Sequence, residues 1–259
     1  MYDYFLGGKD NYASDRQAAT EVLKAFPEAR QLARANRRFL ARAVRYCAES
    51  GVDQFLDVGT GIPTSPNVPD VAREVHPGAR VVGVDNDPVV LAHDRALVET
   101  HEGIRILPGD LRRPKAFLTD PELHEVLDAS RPIAVLLVAV LHFVTDAEDP
   151  AGILAAFDEV MAPGSFLVIS AATSTGTDPE ALARIEQVYA RASSPAVFRP
   201  AEGIRTWFDG FDLHEPGLVD VSHWPSPAGV RPSVRVLAGV ARKPEAEEGL
   251  SLFAHKLSP

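Results

Sequence analysis

From residue 52 onward, short apolar runs alternate with helical patterns, and this alternation constrains the chain more than any other feature. Residues 52–58, 80–85, 104–107, 133–141 and 165–170 each read as a strand. Between them apolar residues recur at helical spacing over 66–75, from Pro88, in two pieces broken at Asp120-Pro121, over 150–161 and over 178–190. Repeated β-α units of this kind imply a mostly parallel, doubly wound sheet with helices on both faces. The run 133–141 is apolar throughout, as in a strand covered on both sides. Near the end the pattern changes. Residues 213–219 and 234–241 read as strands with only a Pro/Ser/Gly loop between them, so the last strand is expected to be antiparallel.

Ahead of this region, Ser14-x-x-Gln17 has the form of a capping box, followed by Ala18, Ala19, Val22, Leu23 and Phe26 at helical spacing. A second helix is expected over 28–49, with Leu32, Ala33, Leu40, Ala43, Val44 and Cys47 inward and Ser50-Gly51 as its stop. Residues 1–50 are therefore expected to form a lid and helices packed on a core of 51–243, with an acidic tail over 244–259. Six arginines (Arg30, Arg34, Arg37, Arg38, Arg42 and Arg45) lie along the second helix and are expected on a solvated face. The net charge of −10 argues against a nucleic-acid partner, which would need basic patches. The single cysteine, Cys47, allows no internal disulfide, which suits a reducing, cytoplasmic setting. The longest apolar run is too short to span a bilayer, so no membrane partner is expected.

The first strand runs into Asp57-Val58-Gly59-Thr60-Gly61-Ile62-Pro63-Thr64. A dinucleotide fingerprint would place a third small residue where Thr64 stands. A carboxylate at Asp57 would also repel a pyrophosphate. It suits an adenosine cofactor with a positive charge and no phosphate, and S-adenosyl-L-methionine has an ammonium and a sulfonium. Glycines at 59 and 61, with Thr60 between them, let the backbone approach such a cofactor closely. Asp85 ends the second strand, where an acid can accept both ribose hydroxyls, and Asn86 follows it. Asp110 follows the third strand, placed to accept from an adenine amino group with Leu111 against the ring. Taken singly, such aspartates are common helix caps and turn formers. Three of them at successive strand ends, with a glycine turn, point to one cofactor edge. A nicotinamide dinucleotide stays open as the alternative ligand.

These segments resemble class I S-adenosylmethionine-dependent methyltransferases. More narrowly, "YDYFLGGKDNYASDR", "FLDVGTGIPTSPNV", "VDNDPVVLAH", "LLVAVLHFV", "WFDGFDLHEPGLV" and "AGVARKP" resemble a bacterial family, common in actinomycetes, first catalogued as a domain of unknown function. The likeness covers Tyr2 to about Pro244. It implies a Rossmann-like sheet of seven strands with a reversed last strand. It also implies that the N-terminal aromatic-glycine segment folds over the cofactor. Members carry further residues ahead of the tyrosine motif on which this sequence starts, a departure that bears on Tyr2. On this reading Gly8 and Tyr12 join the cofactor site, Tyr4 and Phe5 join Trp207 as substrate candidates, and Lys9 or Asn11 pairs with the cofactor carboxylate.

Methyl transfer from a sulfonium is an in-line displacement, so the protein mainly positions the reactants and excludes water. His142, expected at the end of the fourth strand, is the candidate base or acceptor-positioning group. His214 and His223 are candidates for the rim of a substrate mouth, and no histidine spacing suggests a metal. The expected activity is methylation of a small molecule, such as an aromatic or peptide-like natural product of secondary metabolism. A nicotinamide-dependent oxidoreductase and a catalytically silent S-adenosylmethionine-binding sensor or scaffold remain the alternatives.

Overall fold

Pro and Gly at the turns, with β-branched residues between them, divide the chain into the strands and helices of a computed structural model that describes residues 1–190, 194–225 and 232–245. Three helices come first: α1 (Tyr2–Leu6), α2 (Ala13–Ala25) and α3 (Ala29–Glu49). Then follow β1 (Gln54–Val58), α4 (Val68–Val75), β2 (Arg80–Asp85), α5 (Pro88–Leu97), β3 (Ile104–Pro108), α6 (Pro114–Leu118), α7 (Pro121–Val126) and β4 (Ala134–Val138). The rest comprises α8 (Pro150–Val160), β5 (Phe166–Thr173), α9 (Pro179–Tyr189), α10 (Ala201–Arg205), β6 (Asp212–Leu213), β7 (Val219–Asp220) and β8 (Arg235–Arg242). From residue 246 the expected tail lies outside the described residues.

The strands form one sheet in the order β3-β2-β1-β4-β5-β8-β6, with β7 also paired to β8. β1 to β5 are mutually parallel, and β8 runs antiparallel beside β5 from Phe166↔Arg242 to Thr173↔Arg235. Chain order reverses between β1 and β4, so their carboxyl ends open a crevice at a switch point. The single strand expected over 213–219 is instead two two-residue strands on the same side of β8. Pro216 between them has no N–H for the ladder, and Gly217 takes φ 85.

Alternating side chains sort the core into two layers, one on each face of the sheet. Leu56, Val82, Val135, Leu137 and Ile169 pack with Phe117, Phe157 and Ile204 from α6, α8 and α10. Phe55, Val81, Leu136 and Val168 face Phe39, Ala43, Val44 and Cys47 of α3 and Val71 of α4. Burial pushes the Cys47 thiol well above its usual range, which keeps it a small apolar core residue rather than a nucleophile. The N-terminal segment is not aperiodic, as its sequence suggested. It forms α1, whose Phe5 is buried with Val22 of α2, Phe26 just after that helix and Ile185 of α9. α2 also begins one residue before the Ser14–Gln17 pair. The Asp15 carboxylate accepts from the Tyr12 N–H at 3.1 Å, so Asp15 closes the helix start.

The arginines of α3 correct a second expectation. Arg42 donates to the carbonyls of Trp224 (2.7 Å) and Val221 (2.9 Å), and Arg37 donates to those of Pro66 (2.9 Å) and Thr64. Arg30 lies 4.7 Å over the Tyr4 ring, and Arg45 pairs with Glu74. Only Arg34 and Arg38 are exposed without such a partner among the described residues. The guanidinium forks thus satisfy backbone carbonyls of loops that no strand completes.

A polar chain that runs from exposed Tyr2 to buried Ser170 joins this N-terminal layer to the sheet. The Tyr2 hydroxyl donates to the Ala33 carbonyl (3.0 Å) and accepts from the Asn36 amide (2.9 Å). The Asn36 side-chain oxygen accepts from the Ser170 hydroxyl (2.6 Å), which accepts from the Ala139 N–H (3.0 Å). Asn36 and Ser170 are buried, so removing one partner leaves the others unpaired. Asn36→Ala is expected to lower unfolding free energy in urea by about 1–3 kcal/mol. Tyr2→Phe is expected to cost less, about 0.5–1.5 kcal/mol. Equal stability of Asn36→Ala and wild type would show that the chain contributes nothing.

Candidate functional site

Because β1, β2 and β4 are parallel and in register, their last residues reach the same edge. β1 ends at Val58 and the chain turns at Gly59 (φ 78) and Gly61 (φ 63). The Gly59 N–H is held by the Val84 carbonyl at 2.7 Å. A Cβ on Gly59 would lie 2.3 Å from Val140 Cγ1, so the segment after β4 closes on the turn only because no side chain stands there. At the end of β4, Ala139 takes φ 60, a left-handed conformation costing about 1–2 kcal/mol for a non-glycine residue. That reversal throws the chain into a one-turn 3-10 helix, Leu141–Phe143, rather than extending the strand to 141 as expected. His142 therefore sits on this turn and not at a strand end.

The edge opens into a cavity of about 560 Å³. Asp57, Gly59, Thr60, Gly61, Asp85, Asn86, Asp110 and Leu111 all line it, as do Tyr2, Phe5 and His142. The remaining candidates lie elsewhere. Gly8 and Tyr12 shape the α1–α2 connection: the Gly8 N–H donates to the Asp3 carbonyl (2.9 Å), and Tyr12 is 58% exposed. Tyr4 packs under Arg30, while Trp207 is buried with Phe208 in the core beneath Arg199. The Asn11 amide is taken by Asp3 (2.7 Å) and the Gly8 carbonyl (3.0 Å), and Lys9 is exposed. His214 stacks on Phe166 and shares a 2.9 Å hydrogen bond with the Tyr46 hydroxyl, and His223 lies beside Asp220. Neither borders the cavity.

The acids of the edge are not equivalent. The Asp85 carboxylate accepts from the Gly61 N–H (3.0 Å) and the Asp87 N–H (2.9 Å), which fixes the turn against the start of α5. Burial raises its pKa, and those backbone donors partly offset the effect. Asp57 accepts no hydrogen bond from a described residue; desolvation raises it to about 7, against a lowering by Arg37. Asp110 differs, because Arg112 grips it through Nε (2.8 Å) and Nη2 (2.7 Å) and holds its carboxyl below the usual range. Most of its lone pairs are thus committed to Arg112.

Asp94 of α5 went unnoticed in the sequence. It is buried behind the turn, and its Oδ2 accepts from the Thr60 hydroxyl at 2.5 Å. Desolvation raises it to about 6. An acidic residue inside an amphipathic helix pattern reads as surface, and only its facing of the buried rather than the polar side could have signalled it. His142 Nδ1 lies 3.4 Å from the Ala172 N–H, and burial lowers its pKa to about 4. The imidazole is therefore neutral near pH 7, and acceptance at Nδ1 assigns its proton to Nε2.

Among the described residues this donor set has an unpaired carboxylate at the turn, two cavity-lining arginines of which Arg112 is committed to Asp110, and no lining lysine for a diphosphate. It fits a cofactor with cationic and hydroxyl groups. Residues 1–244 match the S-adenosyl methyltransferase family. The chain belongs to that family. This methyltransferase is similar to a DUF574 family protein from Streptomyces avermitilis MA-4680, at 38% identity and TM-score 0.89, covering 94% of this chain and 95% of the other. A protein from Thermobifida fusca YX gives 36% identity and TM-score 0.88 over 94% and 93% of the two chains. The N-methyltransferase NodS from Bradyrhizobium japonicum WM9, solved with S-adenosyl-L-homocysteine, shares the fold at 16% identity and TM-score 0.51 over 81% and 87%. No curated protein matches the sequence. The methyl donor of the enzyme is S-adenosyl-L-methionine, and the nicotinamide-dependent oxidoreductase reading gives way to the family match. Among the described residues no helix is long and apolar enough to cross a membrane, and no cluster of His, Cys, Asp or Glu has metal-binding geometry.

Raised carboxyl pKa values carry a stability consequence. A folded-state pKa above the unfolded value means the native state holds its proton longer, so stability falls as pH rises through the folded value. With unfolded carboxyls at about 4, Asp94 at about 6 and Asp57 at about 7, the ligand-free enzyme is expected to lose thermal stability between about pH 4 and 7. Asp94→Asn keeps an acceptor for Thr60 without the charge and is expected to flatten that fall. Melting temperatures of both proteins across this range check it, and identical slopes would remove Asp94 from the account.

Proposed function

We propose that this methyltransferase acts on a small, largely apolar acceptor held between the strand edge and the N-terminal helices. The observation that carries this reading is the second half of the cavity. Beyond the acids it is walled by Phe5, Phe26, Phe143, Ile185, Tyr189 and Phe198, with helices α1 to α3 and α9 around it. Such a chamber suits an aromatic or aliphatic group rather than a charged polymer, and the net charge of −10 supports the same choice.

When bound, S-adenosyl-L-methionine supplies an activated methyl group on its sulfonium. The chain's residues do the rest. Asp85 is proposed to hold the ribose, because backbone N–H groups already orient both of its oxygens. Asp57 is proposed to hold the cofactor ammonium, since its carboxylate is the unpartnered one. Leu111 offers an apolar surface for the adenine, and Asp110 keeps only a small remaining capacity to accept from its amino group. Tyr2 presents its ring to the cavity while its hydroxyl stays pinned between Ala33 and Asn36.

His142 is placed to position the acceptor. With Nδ1 turned to the Ala172 N–H, its Nε2–H is a donor, and a neutral donor can orient an acceptor oxygen or nitrogen without taking its proton. This favours positioning over the role of general base.

Asp85→Ala is expected to weaken S-adenosyl-L-homocysteine binding by about 1–3 kcal/mol in calorimetry, and unchanged affinity would remove the ribose assignment. Screening small aromatic acceptors for S-adenosyl-L-homocysteine formation tests the substrate class; turnover confined to protein or nucleic acid would overturn it. With an acceptor in hand, His142→Gln is expected to retain more turnover than His142→Ala, with cofactor affinity nearly constant in both. Equal loss in the two variants would remove the donor role.

A further inference from the structure

The apolar part of the cavity carries polar groups as well as rings. Tyr189, the last residue of α9, lines it and packs with Phe5, Phe26 and Ile185. Ile185 and Tyr189 are four residues apart, so one face of α9 brings both to the same wall. The Tyr189 ring stands 5.7 Å from that of Phe143, which in turn lies 4.4 Å from the imidazole of His142. The hydroxyls of Tyr2 and Tyr46 are engaged with Ala33 and His214. That of Tyr189 has no hydrogen-bond partner among the described residues, and burial alone pushes the phenol up to about 12. It is therefore a protonated donor near pH 7, set in protein rather than bulk water. A tyrosine O–H withdrawn in this way normally finds a partner.

We infer that the Tyr189 hydroxyl donates to a second polar group of the acceptor, an oxygen remote from the atom that is methylated, while His142 Nε2–H takes the first. The two donors flank Phe143, so one flat molecule laid against that ring reaches both. This narrows the acceptor to an aromatic compound with a hydrogen-bond-accepting oxygen, such as a ketone, at the end away from its reacting group. His142 is two residues from Val140, which meets the glycine turn, whereas Tyr189 packs with the N-terminal layer, so the row of rings leads away from the turn. A contact remote from the reacting atom is made equally in ground and transition states, so it sets affinity and selectivity rather than turnover rate. The inference rests on the small acceptor and the His142 role proposed above.

The test measures binding of two isosteric pairs by calorimetry with S-adenosyl-L-homocysteine present. The pairs are 4-hydroxyacetophenone against 4-isopropylphenol, and 6-acetyl-2-naphthol against 6-isopropyl-2-naphthol. Each pair shares the phenol and differs only in a ketone or an isopropyl group at the far end. Wild type is expected to prefer the ketone of at least one pair by about three- to tenfold. Tyr189→Phe is expected to abolish or reverse that preference, because the carbonyl then lies unpaired against an apolar wall. Affinity for the isopropyl compounds should stay within about twofold of wild type, since only the hydroxyl is removed. His142→Ala acts at the shared phenol and is expected to weaken both members while the preference persists; its loss there would overturn the two-ended arrangement. A wild type with no ketone preference in either pair, or a preference that survives in Tyr189→Phe, would overturn the inference, and the wild-type comparison stands whether or not the variants fold. If none of the four compounds binds, the small-acceptor reading falls, and this inference with it.

Discussion

The site depends on withdrawing carboxylates from water, which makes each of them harder to ionise until a positive charge arrives. Asp57, Asp85 and Asp94 lie around one glycine turn, each with a pKa raised by burial. Like charges in a partly dry setting repel, and desolvation adds to the cost. The surrounding structure tolerates this because parallel strands end in register and fix the backbone on both sides. Asp85 takes two backbone N–H groups, Asp94 takes a hydroxyl, and Asp57 is left for something else. A site strained in this direction selects for positive charge, which is the property separating a sulfonium cofactor from a dinucleotide.

That part of the molecule was legible because it is local. Asp57, Gly59 and Gly61 are read from a few consecutive residues, and Asp85 and Asp110 from the ends of apolar runs. The sheet was legible for a related reason: period-two and period-3.6 patterns report burial one element at a time. What escaped was everything decided by contacts distant in sequence. Arg37 and Arg42 look like surface residues of an amphipathic helix until Thr64, Pro66, Val221 and Trp224 are brought beside them. Asp94 looks like solvent-facing charge until Thr60 reaches it. Trp207 was named for its chemistry, yet the Phe208-Trp207 pair is used to fill the core. The break between β6 and β7 was present in the sequence as Pro216-Gly217 and was outvoted by the flanking apolar residues.

The N-terminal layer has two functions that its sequence shows separately. Its apolar stripe, Phe39, Ala43, Val44 and Cys47, caps one face of the sheet. Its polar positions Asn36 and Arg37 face the strand ends instead, one tied to Ser170 and the other beside Asp57. Adjacent residues on a helix point about 100° apart, so a single turn of α3 serves core and site together. Anything that displaces α3 alters the cavity lining and the sheet packing at once.

His142 extends the same logic to the other wall of the cavity. Ala139 adopts a left-handed conformation, and the hydroxyl of Ser170, bound to Asn36, accepts from its N–H. That reversal sets the 3-10 turn on which His142 rides, and the Ala172 N–H then fixes the ring. The polar chain from Tyr2 through Asn36 and Ser170 therefore ends three residues before the imidazole. The placement of the N-terminal helices and that of the His142 turn are therefore linked, since both depend on Asn36 holding its two partners. Because burial keeps the imidazole neutral down to about pH 4, this coupling is insensitive to pH over the range in which Asp57 and Asp94 titrate. The glycine-turn end of the cavity responds to protons, and the His142 end is set by geometry.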